Sequence, residues 1–237
     1  MKKLLSLLLA ISLLICAIAV LSSCNKESDV DDGNTNELPE YCEYLFTRNN
    51  EGKDMKYVKL TIKDYGPIVL ALDATVAPVS VNNFVKLVEE GFYDGLTFHR
   101  VVEGFVIQGG DPNKDGSGGS PVTIYGEFKE NGYTKNDISH IRGVISMARA
   151  SYSNNSASSQ FFICLDNVSS SLDNKYASFG YVIYGMSTVD KILKHGLANI
   201  ASGETVIADK QTVIEKAEVI TEEQALEYTK GYVAPEK

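Results

Sequence analysis

Within Phe98–Pro112, FHRVVEGFVIQGGDP, one arginine and one glutamine stand among apolar side chains. The Arg100 guanidinium never gives up its proton, so it serves neither as nucleophile nor as base. It offers only N–H donors and positive charge from a rigid fork. Gln108, further along the same stretch, is suited to hold that fork from the side. Flanked by Phe105 and Val106, such a pair stabilises a shape or a developing lone pair rather than cleaving a bond. The three histidines suggest another chemistry: His99, Asp111 and one of the many serines would make a hydrolase. No Gly-x-Ser-x-Gly elbow or other nucleophile motif accompanies them. His99 and His140 therefore read as structural histidines and His195 as a surface one.

The elements that must carry these residues follow from hydrophobic period. Phe98, Val101, Phe105 and Ile107 predict two short strands turning at Glu103–Gly104 and stopping at Gly109–Gly110. Upstream, Val58, Leu60 and Ile62 share one strand face, Asp64-Tyr65-Gly66-Pro67 turns, and Ile68, Leu70 and Leu72 return. Pro78 opens a helix with Val81, Phe84, Val85 and Val88 on its apolar stripe, and Gly91 ends it. Residues 113–120 (NKDGSGGS) predict a flexible polar loop. Strands are expected at Gly143–Met147, Gln160–Cys164, Phe179–Ile183 and Val213–Ile220, with a second helix at Ser187–Lys194 and a loosely ordered tail from Thr221 to Lys237. With no helix regularly between strands, the pattern points to an antiparallel barrel or sandwich.

The Phe98–Pro112 stretch resembles the signature of the cyclophilin family of peptidyl-prolyl isomerases. Ser146–Cys164, SMARASYSNNSASSQFFIC, is similar to that family's other hallmark, and Gly126-Glu127-Phe128 to a shorter one. The likeness covers roughly Tyr57–Ile220. It implies a mainly β fold, a closed eight-stranded antiparallel barrel capped by two α-helices, and an isomerase needing neither cofactor nor metal. By the same resemblance Arg100 is the catalytic donor, Gln108 its positioner, and Phe105 their apolar neighbour. Phe105, Val106, Phe161 and Leu172 would line a pocket for the proline ring, with Phe162 turned into the core. Ala148, Arg149, Ala150 and Gln160 would face the substrate chain. Some positions depart from the usual pattern: Val106 stands where methionine is common, Arg149 where asparagine is, Ser171 where tryptophan is, and Tyr176 where histidine is. Tyr176 keeps an aromatic body with a polar tip at the binding site. A binding module that holds proline-rich partners stays open beside the enzyme.

The rest of the chain bears on address and partners. Twenty-two basic against 31 acidic residues leave a net charge of −9, and 44% apolar content suffices for one core. Such acidity argues against nucleic acid as a partner. Lys2 and Lys3 followed by an apolar run from Leu4 to Val20 predict a signal peptide over 1–23. Leu21-Ser22-Ser23-Cys24 resembles a lipobox, which implies acylation of Cys24 and an exported protein anchored to a cell membrane or envelope by lipid. Residues 24–55 then form an acidic flexible tether, 56–220 the isomerase domain and 221–237 the tail. Proline-containing polypeptides are the expected partners and a monomer the expected state. Of the remaining cysteines, Cys42 lies in the tether and Cys164 in an apolar strand, so a buried, unpaired Cys164 is expected over a disulfide between them.

Overall fold

The computed structural model describes residues 53–230. The signal peptide, Cys24, Cys42 and nearly all of the tether lie outside the described residues. Strand β1 (Met55–Ile62) turns its alternate residues Val58, Leu60 and Ile62 inward. Asp64 and Gly66 take left-handed backbone at the turn, φ 67° and 89°, and β2 (Gly66–Asp73) returns with Ile68, Leu70 and Leu72 on the same side. The chain continues through α1 (Pro78–Glu89), β3 (Thr97–Val102), β4 (Val106–Gly109), β5 (Val144–Met147), β6 (Phe161–Cys164), α2 (Ser169–Leu172) and β7 (Ser178–Tyr184). It ends with α3 (Met186–Leu197), β8 (Ile200–Ser202), β9 (Thr205–Val206), β10 (Thr212–Ile220) and α4 (Glu222–Tyr228).

Eight of these strands close on themselves, in the order β10-β1-β2-β7-β5-β6-β4-β3, with β3 meeting β10 again at Phe98↔Thr212 and Thr97↔Val213. All pairings are antiparallel, and closure leaves no open edge among the eight. The expected barrel is present. The β8–β9 hairpin is an addition that lies against β3 through Arg100↔Thr205.

Two apolar clusters result from the period-2 alternation. One fills the barrel interior, where Phe84 of α1 packs against Tyr93, Phe161 and Phe179 with ring centroids 4.8, 5.5 and 5.3 Å apart. Helix α3 joins this interior through Val189 and Ile192. It approaches so closely that a Cβ on Gly196 would lie 2.7 Å from Val101 Cγ1. The other cluster covers one outer face: Val69, Ala71, Val106, Val144, Phe162, Cys164, Leu172, Tyr181 and Ile183. Cys164 is a free thiol sealed there, and burial raises its pKa, so it is unreactive.

Two sequence expectations are corrected. Residues 222–228 form α4 rather than a loose tail. Thr221 and Gln224 cap each other reciprocally, Ala225 is buried, and the Tyr228 ring sits 5.1 Å from Tyr184 on the outer cluster. The signal was legible: Thr-Glu-Glu-Gln is a capping box. The loop over residues 113–120, expected to be flexible, is tied down at its start. The buried Asp111 carboxylate accepts from the amides of Asn113, Asp115 and Gly116 at 2.8, 3.1 and 2.5 Å.

Glu127, of the short Gly-Glu-Phe stretch, has a structural task. Ala77 offers α1 no side-chain cap, and Glu127 supplies it from afar, accepting from Val79 N, Ser80 N and Ser80 Oγ at 2.9, 2.8 and 2.7 Å. A carboxylate there also meets the positive end of the helix dipole.

Candidate active site

Arg100 on β3 and Gln108 on β4 are direct cross-strand partners, so their side chains emerge on the same face. Arg100 Nη1 donates to Gln108 Oε1 at 3.1 Å, and Gln108 Nε2 donates to Gln160 Oε1 at 2.8 Å. Gln160 Nε2 in turn donates to the carbonyls of Gly116 and Gly118 at 2.9 and 2.8 Å. A relay of fixed hydrogen bonds thus runs from the loop that Asp111 anchors to the guanidinium. Strand β4 ends in time for that loop because Gly110 has φ 83°, and a Cβ there would lie 2.6 Å from the Ser159 carbonyl. On its other edge Arg100 meets Glu204 of the β8–β9 turn, with Nε and Nη2 at 2.6 and 2.5 Å from the same Oε2.

Beside the guanidinium lies a pocket of about 190 Å³ lined by Arg100, Phe105, Val106, Gln108, Ala148, Arg149, Phe162, Leu172 and Tyr176. Val106, Phe162 and Leu172 are buried at its apolar side. The Arg100 guanidinium carbon is 5.9 Å from the Phe105 ring centre. Across the pocket Arg149 lies 4.9 Å from the Tyr176 ring centre and 5.3 Å from that of Phe128, and donates to the carbonyls of Lys175 and Ala150 at 3.0 and 3.2 Å. An apolar hollow between two cations, one of them held on two edges, has donors for a ligand and nothing that attacks one.

The structure brings together Arg100, Gln108, Phe105, Val106, Ala148, Arg149, Leu172 and Tyr176. It does not bring Phe161. That residue, expected in the pocket, is fully buried in the barrel interior, and Phe162, expected in the core, lines the pocket. Alternation correctly puts the two on opposite faces. Which face belongs to which follows from register: Gln108 pairs with Phe162 and Val106 with Cys164, whereas Phe161 pairs with Gly109. Gln160 and Ala150, expected along the substrate chain, are half-buried and are not among the residues that line the hollow. Both Gln160 side-chain donors are spent on loop carbonyls. The Ala150 amide donates to Ser156 Oγ at 2.9 Å and its carbonyl accepts from Arg149 and Ser156. Sequence reasoning also missed Glu204, which stands in no recognisable motif.

The histidines lie elsewhere. His140 Nδ1 is 2.8 Å from Asp173 Oδ1 and its Nε2 is 3.0 Å from Ser146 Oγ, the connectivity of a hydrolytic triad. Ser146 and His140 are 0% and 1% exposed, so no substrate carbonyl can reach this hydroxyl, and the hydrolase alternative built on His99 has no serine bonded to either His99 ring nitrogen. Burial pulls the His140 pKa below its ordinary value, against the opposing pull of Asp173. Its ring stacks on Phe162 at 6.0 Å, so it backs the pocket wall. His99, also buried, has both ring nitrogens unpartnered. Desolvation lowers its pKa against the opposing Asp111 charge. His195 donates from Nε2 to the Lys210 carbonyl at 2.8 Å.

Residues 57–219 match the family described as cyclophilin type peptidyl-prolyl cis-trans isomerase. Peptidyl-prolyl cis-trans isomerase A of Dickeya dadantii is 42% identical over 159 residues, which span 65% of this chain and 80% of that protein. A peptidyl-prolyl cis-trans isomerase of Helicobacter pylori is 44% identical over 135 residues, 56% of this chain and 78% of its own. The crystal structure of a Cryptosporidium parvum cyclophilin type peptidyl-prolyl cis-trans isomerase, obtained in the presence of the dipeptide Ala-Pro, superposes with a TM-score of 0.60 at 28% identity, covering 70% of this chain and 99% of that one.

Proposed function

The chain belongs to the cyclophilin family of peptidyl-prolyl cis-trans isomerases, and from that premise we propose that it speeds rotation about Xaa-Pro bonds by hydrogen bonding from Arg100 to a twisted amide. Rotation about a peptide bond crosses a barrier of about 18–20 kcal/mol because conjugation is lost. When the amide twists, the proline nitrogen pyramidalises and regains a lone pair. An Arg100 N–H aimed at that nitrogen forms a bond the planar amide cannot accept, and only such differential binding raises a rate. Removing one preorganised donor of this kind costs about 3 kcal/mol in other enzymes. The hollow formed by Phe105, Val106, Phe162 and Leu172 takes the proline ring, whose burial contributes about 2 kcal/mol.

The observation that carries this reading is a donor count at the pocket edge. Of five guanidinium N–H groups, Glu204 engages one on Nε and one on Nη2, and Gln108 engages one on Nη1. Two remain to meet a substrate beside an apolar hollow. NMR exchange on an Xaa-Pro peptide tests it. Arg100→Ala, folded, slows catalysed exchange by about a hundredfold. Unchanged exchange rejects the role, and retained peptide binding with no effect on rate in either protein favours a binding module.

The sequence Leu21-Ser22-Ser23-Cys24 supports a location outside the cytoplasm with a lipid anchor on Cys24, and we propose that the anchored enzyme works as a monomer on proline-containing segments of exported or unfolded proteins. Labelling with a radioactive fatty acid is expected for the full chain and lost in Cys24→Ala. Label retained in that variant overturns the anchor.

A further inference from the structure

Arg100 is held from a side that neither of the two signature stretches supplies. Its Nε and Nη2 converge on one oxygen of Glu204, at 2.6 and 2.5 Å, while Gln108 takes Nη1 from the opposite strand. We propose that Glu204 is a positioning residue for Arg100, fixing the plane of the guanidinium so that its two unspent N–H groups stay aimed at the pocket. This inference rests on the isomerase reading above.

The hairpin that carries Glu204 is built into the frame of the site. Gly203, with φ 58°, turns the chain, the Glu204 carbonyl accepts from Val101 N at 3.1 Å, and Thr205 pairs with Arg100 itself. Its base is fastened by Gln211, only 6% exposed. Gln211 Nε2 donates to Val206 O of the hairpin at 3.0 Å and to Lys114 O at 2.8 Å. Lys114 belongs to the loop whose glycine carbonyls hold Gln160, which holds Gln108. Both acceptors that flank Arg100 are therefore referred to one buried glutamine.

An arginine on a flexible four-torsion arm, bonded at a single edge, still swings about that bond; acceptors on two edges remove the swing. A carboxylate also opposes the positive field that Arg100 presents, so two effects of opposite sign compete. The Glu204 side chain is 49% exposed and that of Arg100 29%, so water screens the charge term. Misplacing a catalytic group by about 1 Å costs up to about a hundredfold in rate. Positioning outweighs damping.

The test combines Glu204→Ala and Glu204→Gln, measured by NMR exchange on one Xaa-Pro peptide and by the Arg100 Nε–H resonance without substrate. Glu204→Ala is expected to lower kcat about tenfold while KM moves less than about twofold, and to broaden the Arg100 Nε–H signal through exchange with water. Glu204→Gln keeps an acceptor of the same reach and is expected to recover most of both. A destabilised fold would move the thermal midpoint and leave no such recovery pattern, so unfolding is recognised separately. A Glu204→Ala protein with undiminished kcat, or with lowered kcat and an unchanged Nε–H signal, overturns the inference alone. A wild-type protein without exchange activity overturns the isomerase reading and the inference with it.

Discussion

Phe161 and Phe162 are consecutive on β6 and belong to different regions of the molecule. Phe161 is sealed in the barrel interior, edge-on to Phe84, Tyr93 and Phe98 with centroids 5.5, 5.7 and 5.9 Å away. Phe162, 5% exposed, joins the outer cluster, stacked on His140 and edge-on to Tyr176 at 5.7 Å, with a face on the pocket. The interior is apolar throughout its ring contacts. The outer cluster interleaves apolar rings with Arg149, His140 and Asp173, and there a hollow persists. The difference teaches that the barrel packs a closed apolar interior on one face of its strands and leaves a lined hollow on the other, using alternate residues of the same strands.

Truncating one phenylalanine at a time separates the two regions. Phe161→Ala is expected to cost about 3–5 kcal/mol of unfolding free energy, as interior aromatic deletions do, while exchange per folded molecule changes less than about threefold. Denaturant midpoints paired with NMR exchange read both. A stable Phe161→Ala protein that has lost activity would reverse the assignment of faces. Phe162→Ala is expected to reverse the balance: kcat/KM falls by about tenfold or more, while stability drops by about 1–3 kcal/mol because the site already borders solvent. Activity unchanged in this variant would remove Phe162 from the pocket.

A smaller effect concerns pH. Burial lowers the pKa of His140 and of His99 from the usual 6.5. The unfolded chain takes up protons at these imidazoles below about pH 6.5, and the folded chain does so only at lower pH. The stability they contribute is thus complete above that value and is lost as pH falls from it towards the folded pKa. The wild-type unfolding midpoint should drop between about pH 7.5 and 5, and His140→Gln should drop less. Equal slopes would mean that His140 titrates freely, with the wall behind Phe162 open to water.

The same contrast marks what was legible in the chain. The cross-strand pair Arg100 and Gln108 follows from two short strands around Glu103–Gly104, and an antiparallel barrel or sandwich from period-2 runs with no helix regularly between them; the family resemblance narrowed that choice to the closed barrel. Alternation also separates Phe161 from Phe162. It does not orient them, because parity along one strand is silent until a neighbouring strand sets the register. Helix α4 was written in Thr221 and Gln224 and hidden by the acidic residues between and after them, which read as a solvated tail.

Sequence by itself determined the arginine, the glutamine that faces it, and the apolar strands that carry them, since these depend on local period and on side-chain chemistry. Only the tertiary structure decided that Phe162 lines the hollow, that Gln160 supports Gln108, and that Glu204 grips the second edge of the guanidinium. Arg100 and Glu204 lie 104 residues apart and meet through barrel closure and hairpin docking. Contacts of that span are fixed by register and packing, to which no local pattern of residues refers.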